Sequence, residues 1–263
     1  MIVNSIKNIN YQKSINFKSC IRTYNGNTLN PKILASDAVK TSTNFFREDL
    51  NWNSLMKYIL FNFINTHKVN TYSLACSDGS EAYSIAAFLM SKLPEKIYKK
   101  FFPITACDID EKVLSAANKR RINIHNFEFA RTNKIYHIDL NNYFINPDLL
   151  IRIKNDNYDE HQLMSYEPID ELKENILFKK SDILTELSQI KDEGNSIIFC
   201  RNVFPYLNED YIDKVVKTAS DRLKSGSLFI IGEFDSRVQM ASRLQENGFF
   251  NPEFGQWLLY QKK

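Results

Sequence analysis

An α/β fold built on one mostly parallel sheet is what this sequence predicts, and two observations predict it. Short apolar runs with strand character recur along the chain, and most are followed by a stretch with helical apolar spacing. Directly after several of these runs comes an acidic or polar residue, which is where open α/β sheets meet their ligands. A chain of 263 residues, 43% hydrophobic and 25% charged, can bury the core of such a domain without cross-links.

Residues 1–40 are polar, rich in Asn and Lys and weakly patterned; they read as a short arm ahead of a folded domain over 41–263. Residues 54–66 carry helical spacing. Strands are predicted at 72–76 (YSLAC), 102–110 (FPITACDID), 176–184 (ILFKKSDIL), 196–200 (SIIFC) and 227–234 (SLFIIGEF). Between them lie helical stretches at 81–93, 111–120, 208–224 and, after the last strand, near 238–246. The 81–93 helix is apolar on every side, so it belongs in the interior. In 208–224, Ile212, Val215, Val216, Ala219 and Leu223 share one face, and Asn208 is the expected N-cap. The run FFNPEFGQWLLYQ reads as a closing hairpin that adds an antiparallel edge pair. Five strands and this hairpin make a seven-stranded sheet with helices on both faces. Residues 119–175 interrupt the alternation and include one strand-like run, LLIRIK at 149–154; they are too long for a plain loop and read as a small inserted subdomain.

Composition excludes several function classes. A net charge of +3 is too mild to argue for nucleic acid. No run approaches the ~18 apolar residues of a membrane helix, and the first residues lack the apolar stretch of a signal peptide, so a cytoplasmic location is expected. Cys20, Cys76, Cys107 and Cys200 form no CxxC pair and read as small buried hydrophobes. His67, His125, His137 and His161 are scattered without metal-ligand spacing, so no metal is expected.

Four polar clusters follow the strands. Ser77-Asp78-Gly79-Ser80-Glu81 is a turn into a helix, which offers backbone N–H groups to a ligand; a plain connecting turn reads equally well. Asp108 ends the second strand, where an acid can accept hydrogen bonds from a ribose diol, or be merely solvated, with Asp110 the better helix cap. Asp182-Ile183 pairs an acid with a branched apolar residue, as an adenine would need, unless it is an exposed turn. Arg201-Asn202-Val203-Phe204-Pro205-Tyr206 packs three polar side-chain types into one strand exit. A nicotinamide dehydrogenase is disfavoured, because only one glycine stands where GxGxxG would be.

Five segments in order, STNFFRED (42–49), SLACSDGSEAYSIA (73–86), ACDIDEKVLSAA (106–117), IIFCRNVFPYL (197–207) and SGSLFIIGEFDS (225–236), together resemble the CheR-type chemotaxis receptor methyltransferases. The resemblance implies a Rossmann-like class I methyltransferase fold, S-adenosylmethionine as cofactor, and methyl transfer to a glutamate carboxylate of a protein, a chemoreceptor among the candidates. It implies roles for particular residues. Thr43 and Arg47 would face the methionine end of the cofactor. Ser77 and Gly79 would form the turn beneath it, Glu81 would hold its amino group, and Asp108 with Ile109 would take the ribose. Asp182 and Ile183 would border the adenine, and Asn202 and Val203 would line the pocket floor. Arg47 and Tyr206 would stand near the sulfonium and the acceptor.

A carboxylate acceptor is already ionised near neutrality and needs no base, which agrees with the absence of histidine from the five segments. Two departures stand out: the family typically has an acid at the position of Ser80 and a proline at that of Ala82. The segment ahead of Thr43 is also short for the family's compact helical domain, which leaves the acceptor open. A small-molecule acceptor and a non-catalytic cofactor-binding protein are the alternatives. Phe45 and Phe46 read as core.

Overall fold

The computed structural model describes residues 44–146, 162–191, 193–252 and 257–263. The arm, Thr43 and the LLIRIK run lie outside the described residues. The main sheet has seven strands: β1 (Val69–Leu74), β2 (Ile104–Asp108), β6 (Ile176–Lys180), β7 (Asn195–Phe199), β8 (Leu228–Ile230), β9 (Phe249–Phe250) and β10 (Leu259–Lys262). Their spatial order is β6-β2-β1-β7-β8-β10-β9. The first five pair in parallel, and β10 runs antiparallel to both its neighbours, which is the expected closing hairpin. The chain thus has a Rossmann-like, doubly wound arrangement, with its switch point between β1 and β7.

The central strands are buried on both faces, which explains their nearly unbroken apolar runs. On β7, Ile197 and Phe199 face a core shared with the helices Trp52–Phe63 and Ser80–Lys92. Ile198 and the following Cys200 face the other core, made with Ile183–Ser188, Glu209–Arg222 and Met240–Glu246. The helix Ser80–Lys92 is buried at every position from 80 to 90, as its composition requires. Cys76, Cys107 and Cys200 are buried free thiols. Asn208 caps the Glu209–Arg222 helix by accepting from the Tyr211 N–H at 2.8 Å.

Register fixes the site's position. Leu74 lies opposite Cys107, Ser73 opposite Phe199, Phe199 opposite Ile230, and Asp108 opposite Lys180. The segments leaving β1, β2, β6, β7 and β8 therefore emerge side by side at one edge. Within 119–175, the stretch read as an insert, lies a second sheet, β3 (Ile122–His125), β5 (Leu163–Pro168) and β4 (Phe144–Ile145), antiparallel at both pairings. Between β3 and β4 runs the helix Asn126–Tyr136.

Four predicted strands run too long. The one predicted at 102–110 covers only Ile104–Asp108, because Asp110 already caps the following helix at the Lys112 N–H. β1 stops at Leu74 because Ala75 takes φ 59°. β6 stops at Lys180, and a helix starts at Ile183 because the Asp182 carboxylate caps it at the Thr185 N–H, 3.1 Å away. β8 stops at Ile230, and residues 233–238 form 3-10 turns in place of strand. No helix among the described residues is long and apolar enough to cross a membrane.

Candidate functional site

The turn after β1 is bent by three left-handed residues, Ala75 (φ 59°), Ser77 (φ 53°) and Gly79 (φ 87°). Gly79 is required there for a second reason: a Cβ on it would lie 2.8 Å from Phe178 and 3.2 Å from the Ala117 side chain. The turn is tied to the end of β2. Ser77 donates its backbone N–H to Asp108 Oδ2 at 2.9 Å, and the Asp110 N–H donates to Asp108 Oδ1 at 2.9 Å. Burial pushes the Asp108 pKa up, although these backbone donors pull the other way. Asp110 caps the Glu111–Asn118 helix at the Lys112 N–H. Ile109, between the two acids, is half-buried.

Glu81 begins the helix after the turn and is buried. Its Oε1 accepts from the Ser73 hydroxyl at 2.7 Å, and its Oε2 from Arg201 Nη1 at 3.2 Å. Burial raises its pKa; Arg201, Ser73 and Arg47 oppose that rise. Arg201, whose side chain is 1% exposed, also donates to Asp49. Asp49 accepts besides from the Glu233 N–H at 3.1 Å and from Asn202 Nδ2 at 3.3 Å, and it lies 3.7 Å from Arg47 Nε. Burial alone would raise the Asp49 pKa, but Arg201, the Glu233 N–H, Arg47 and Asn202 together outweigh it and hold the group below its usual value. The result is a continuous buried network, Arg47–Asp49–Arg201–Glu81–Ser73, that joins the 44–50 segment to the exits of β1 and β7. The hydroxyl of Ser84 also accepts from the Phe46 N–H at 2.9 Å, fixing that segment on the buried helix. Phe45 and Phe46 are core residues, edge-on to Phe144 and Phe88 respectively.

Asn202 takes φ 58°, and its side-chain oxygen accepts from the Phe234 N–H at 3.0 Å. Val203 and Tyr206 follow, both half-buried, on a 3-10 turn closed by the Tyr206 N–H to the Val203 carbonyl at 3.0 Å. Asp182 uses both carboxylate oxygens inside the protein, one on its helix and one for the Tyr211 hydroxyl, and Ile183 beside it is buried.

A cavity of about 470 Å³ opens beside this network. Arg47, Asp49 and Glu233 form one wall, and His125, Phe127, Glu128 and Arg131 of the insert form the other. Arg131 pairs with Glu48 across it. Among the described residues no cluster of His, Cys, Asp and Glu could hold a metal ion.

Of the predicted residues, Arg47, Glu81 and Asn202 are joined through one network, and Asp108 is bonded to the Ser77 turn next to it. Thr43 lies outside the described residues. Residue-by-residue reading passed over Asp49, Arg201 as an internal cation, Asp235 and Arg131. Asp49, Arg201 and Asp235 sit inside the quoted segments, but the Arg201–Asp49 and Asn202–Asp235 pairings span 152 and 33 positions and leave no local pattern. His125 on the cavity wall is a histidine that the five segments do not contain.

The SAM-binding domain of the CheR methyltransferases matches residues 41–248. Among curated proteins, the chain is 24% identical over 222 residues to "Chemotaxis protein methyltransferase 2" of Vibrio cholerae, covering 81% of this chain and 70% of that one. It is 24% identical over 190 residues to the chemotaxis protein methyltransferase of Listeria innocua, covering 72% of this chain and 62% of the relative. It is 26% identical over 206 residues to that of Borreliella burgdorferi, covering 75% and 66%. The chain thus spans about two thirds of the length of these relatives.

Proposed function

The chain belongs to the CheR methyltransferase family, and from that premise we propose that it transfers the methyl group of S-adenosylmethionine to a side-chain carboxylate of a protein. The observation that carries this reading is the convergence of Asp108, Glu81, Arg201, Asp49 and Arg47 at one edge of the sheet, with Arg47 facing the cavity.

The residues present suit the cofactor. Asp108 has both oxygens oriented by backbone N–H groups, which leaves further lone pairs for a ribose diol. Two arginines and two carboxylates in one buried network match the paired charges of an amino-acid end. Asp182 and Ile183 put a polar and an apolar group side by side for an adenine. Ser77, Gly79, Ile109, Asn202 and Val203 would form the surrounding walls, and Thr43 the far side. The cofactor supplies a methyl group on a cationic sulfur, a good leaving group. The protein's work is to align, to exclude water and to hold charge; orientation can contribute as much as ~7–11 kcal/mol in ideal cases.

Arg47 would guide the acceptor carboxylate, a task suited to its planar fork. Its hold on Asp49 is loose at 3.7 Å, while Arg201 is the closer partner of that acid. Tyr206 would flank the acceptor from the β7 side. The relatives are named chemotaxis protein methyltransferases, which together with the resemblance of the five segments favours a chemoreceptor as the protein acceptor; a cytoplasmic location is part of the same reading. A second reading, transfer to a hydroxyl, draws support from His125 on the cavity wall, where it could serve as the base that such an acceptor needs.

Labelling a cell lysate with methyl-tritiated cofactor separates these readings. Label on protein that mild alkali releases as methanol is the expected result. Label that resists alkali, or that enters only small molecules, would reject the carboxylate acceptor.

A further inference from the structure

The charges lining the cavity do not balance. Two cations, Arg47 and Arg131, face four carboxylates, Glu48, Asp49, Glu128 and Glu233. Four of these six side chains are matched. Arg131 pairs with Glu48, and Arg47 stands beside Asp49, whose closer partner is Arg201. Glu128 and Glu233 are left over on opposite walls, and neither has an ion-pair partner among the described residues.

Glu128 belongs to the first turn of the helix Asn126–Tyr136 and is only 9% exposed. Its Oε2 accepts from the His125 backbone N–H at 3.2 Å, while its Oε1 takes no hydrogen bond from the described residues. Burial pushes its pKa up, against the pull of the His125 N–H and imidazole. Glu233 is exposed, and its backbone N–H is fixed on Asp49 Oδ2 at 3.1 Å, which sets it on the far wall. A nearly buried carboxylate oxygen without a donor is costly, and a donor that arrives with a ligand removes the cost.

We propose that Glu128 and Glu233 hold a lysine or arginine side chain of the acceptor protein, close to the glutamate that takes the methyl group. The inference rests on the methyl-transfer reading above and narrows its substrate class to segments in which a cation lies near the acceptor carboxylate. The carboxylate goes to Arg47, and the N–H groups of the cation go to Glu128 Oε1 and to Glu233. Both charges of the acceptor then meet opposite charges on the protein, and complementarity of this kind selects partners. The space, about 470 Å³, accommodates two side chains, and Phe127 on the insert wall gives apolar surface to the cation's stem. No cluster of His, Cys, Asp and Glu among the described residues could hold a metal ion, so an organic cation is the better match.

The test is methyl transfer from tritiated S-adenosylmethionine to synthetic peptides, catalysed by the full chain. Each peptide carries one central glutamate and one lysine, and the lysine is moved position by position to either side. Norleucine replaces the lysine in the controls. At the best position kcat/KM should be about tenfold higher with lysine than with norleucine, chiefly through KM, as the gain of a hydrogen bond to a charged group requires. Glu128→Gln keeps an oxygen for the His125 N–H but loses the charge, and it should abolish the difference. Glu233→Gln should reduce it, and this exposed site decides the matter if the first variant is unstable. Equal kcat/KM for lysine and norleucine at every position would overturn the proposal, and so would a lysine preference that survives both substitutions. If Glu128→Gln instead weakens binding of S-adenosylmethionine and keeps the lysine preference, the carboxylates serve the sulfonium and the proposal fails. Transfer to none of the peptides, with S-adenosylhomocysteine still bound, would reject the carboxylate-acceptor reading, and this inference would fall with it.

Discussion

Removing the Arg201 guanidinium would leave two buried carboxylates, Asp49 and Glu81, without the cation that both face. Breaking a buried pair from one side typically costs ~3–5 kcal/mol. Arg201→Met should therefore lower stability by roughly that amount in urea unfolding, and a loss under 1 kcal/mol would show that the network is not a structural unit. Arg47 is different, since it lines the cavity and holds Asp49 only loosely. Arg47→Ala should keep the fold and reduce methyl transfer by about a hundredfold, the scale of a misplaced reactant; single-turnover rates beside a thermal melt would check both halves. Asp108→Ala should chiefly weaken S-adenosylhomocysteine binding, by roughly ten- to a hundredfold if bonds to a charged group worth about 1.5–3 kcal/mol are lost. The polar residues at strand exits were legible in sequence because an acid after an apolar strand is a local signal. The Arg201–Asp49 pairing was not, because its partners stand 152 positions apart.

Turns rather than strands set the geometry of this edge. Apolar residues continue past β6 and β8, so periodicity alone extends both strands; the side chains of Asp182 and Asp235 end them by capping the next turn. Such competition between a side-chain acceptor and the sheet ladder is invisible to hydrophobic patterning. At the first turn, Gly79→Ala would add a Cβ in a left-handed conformation against Phe178. The expected cost is about 1–2 kcal/mol from the backbone alone, read as a shift in the urea midpoint. A neutral outcome would mean that the turn relaxes without penalty. Asn208 was predicted as a cap from its position ahead of an amphipathic helix, and it makes that bond.

Across the molecule, the alternation of strands and helices was enough to predict a parallel sheet with a closing hairpin. The strand order, and so the switch point between β1 and β7, is a property of long-range pairing that periodicity does not carry. The cavity was not legible at all, because half its wall belongs to the insert, whose helix Asn126–Tyr136 carries no motif. Charge buried at the sheet edge also sets a pH response. The Asp235 pKa is raised to about 7 in the folded protein, whereas an unfolded aspartate titrates near 3.9. Between those values the folded state holds the extra proton, so Asp235 makes stability fall as pH rises from about 4 to 7. Subtracting the urea midpoints of Asp235→Asn from those of wild type across that window should reveal this slope. A difference that is flat with pH would contradict it.

The central claim is that the exits of β1, β2, β6 and β7, with the segment carrying Arg47, enclose one nucleoside site. A crystal structure with S-adenosylhomocysteine tests it directly. The account predicts the ribose hydroxyls on Asp108, the adenine beside Asp182 and Ile183, and the sulfur turned toward Arg47 and the cavity shared with the insert. A ligand bound away from Asp108, or with its sulfur pointing away from Arg47, would contradict it.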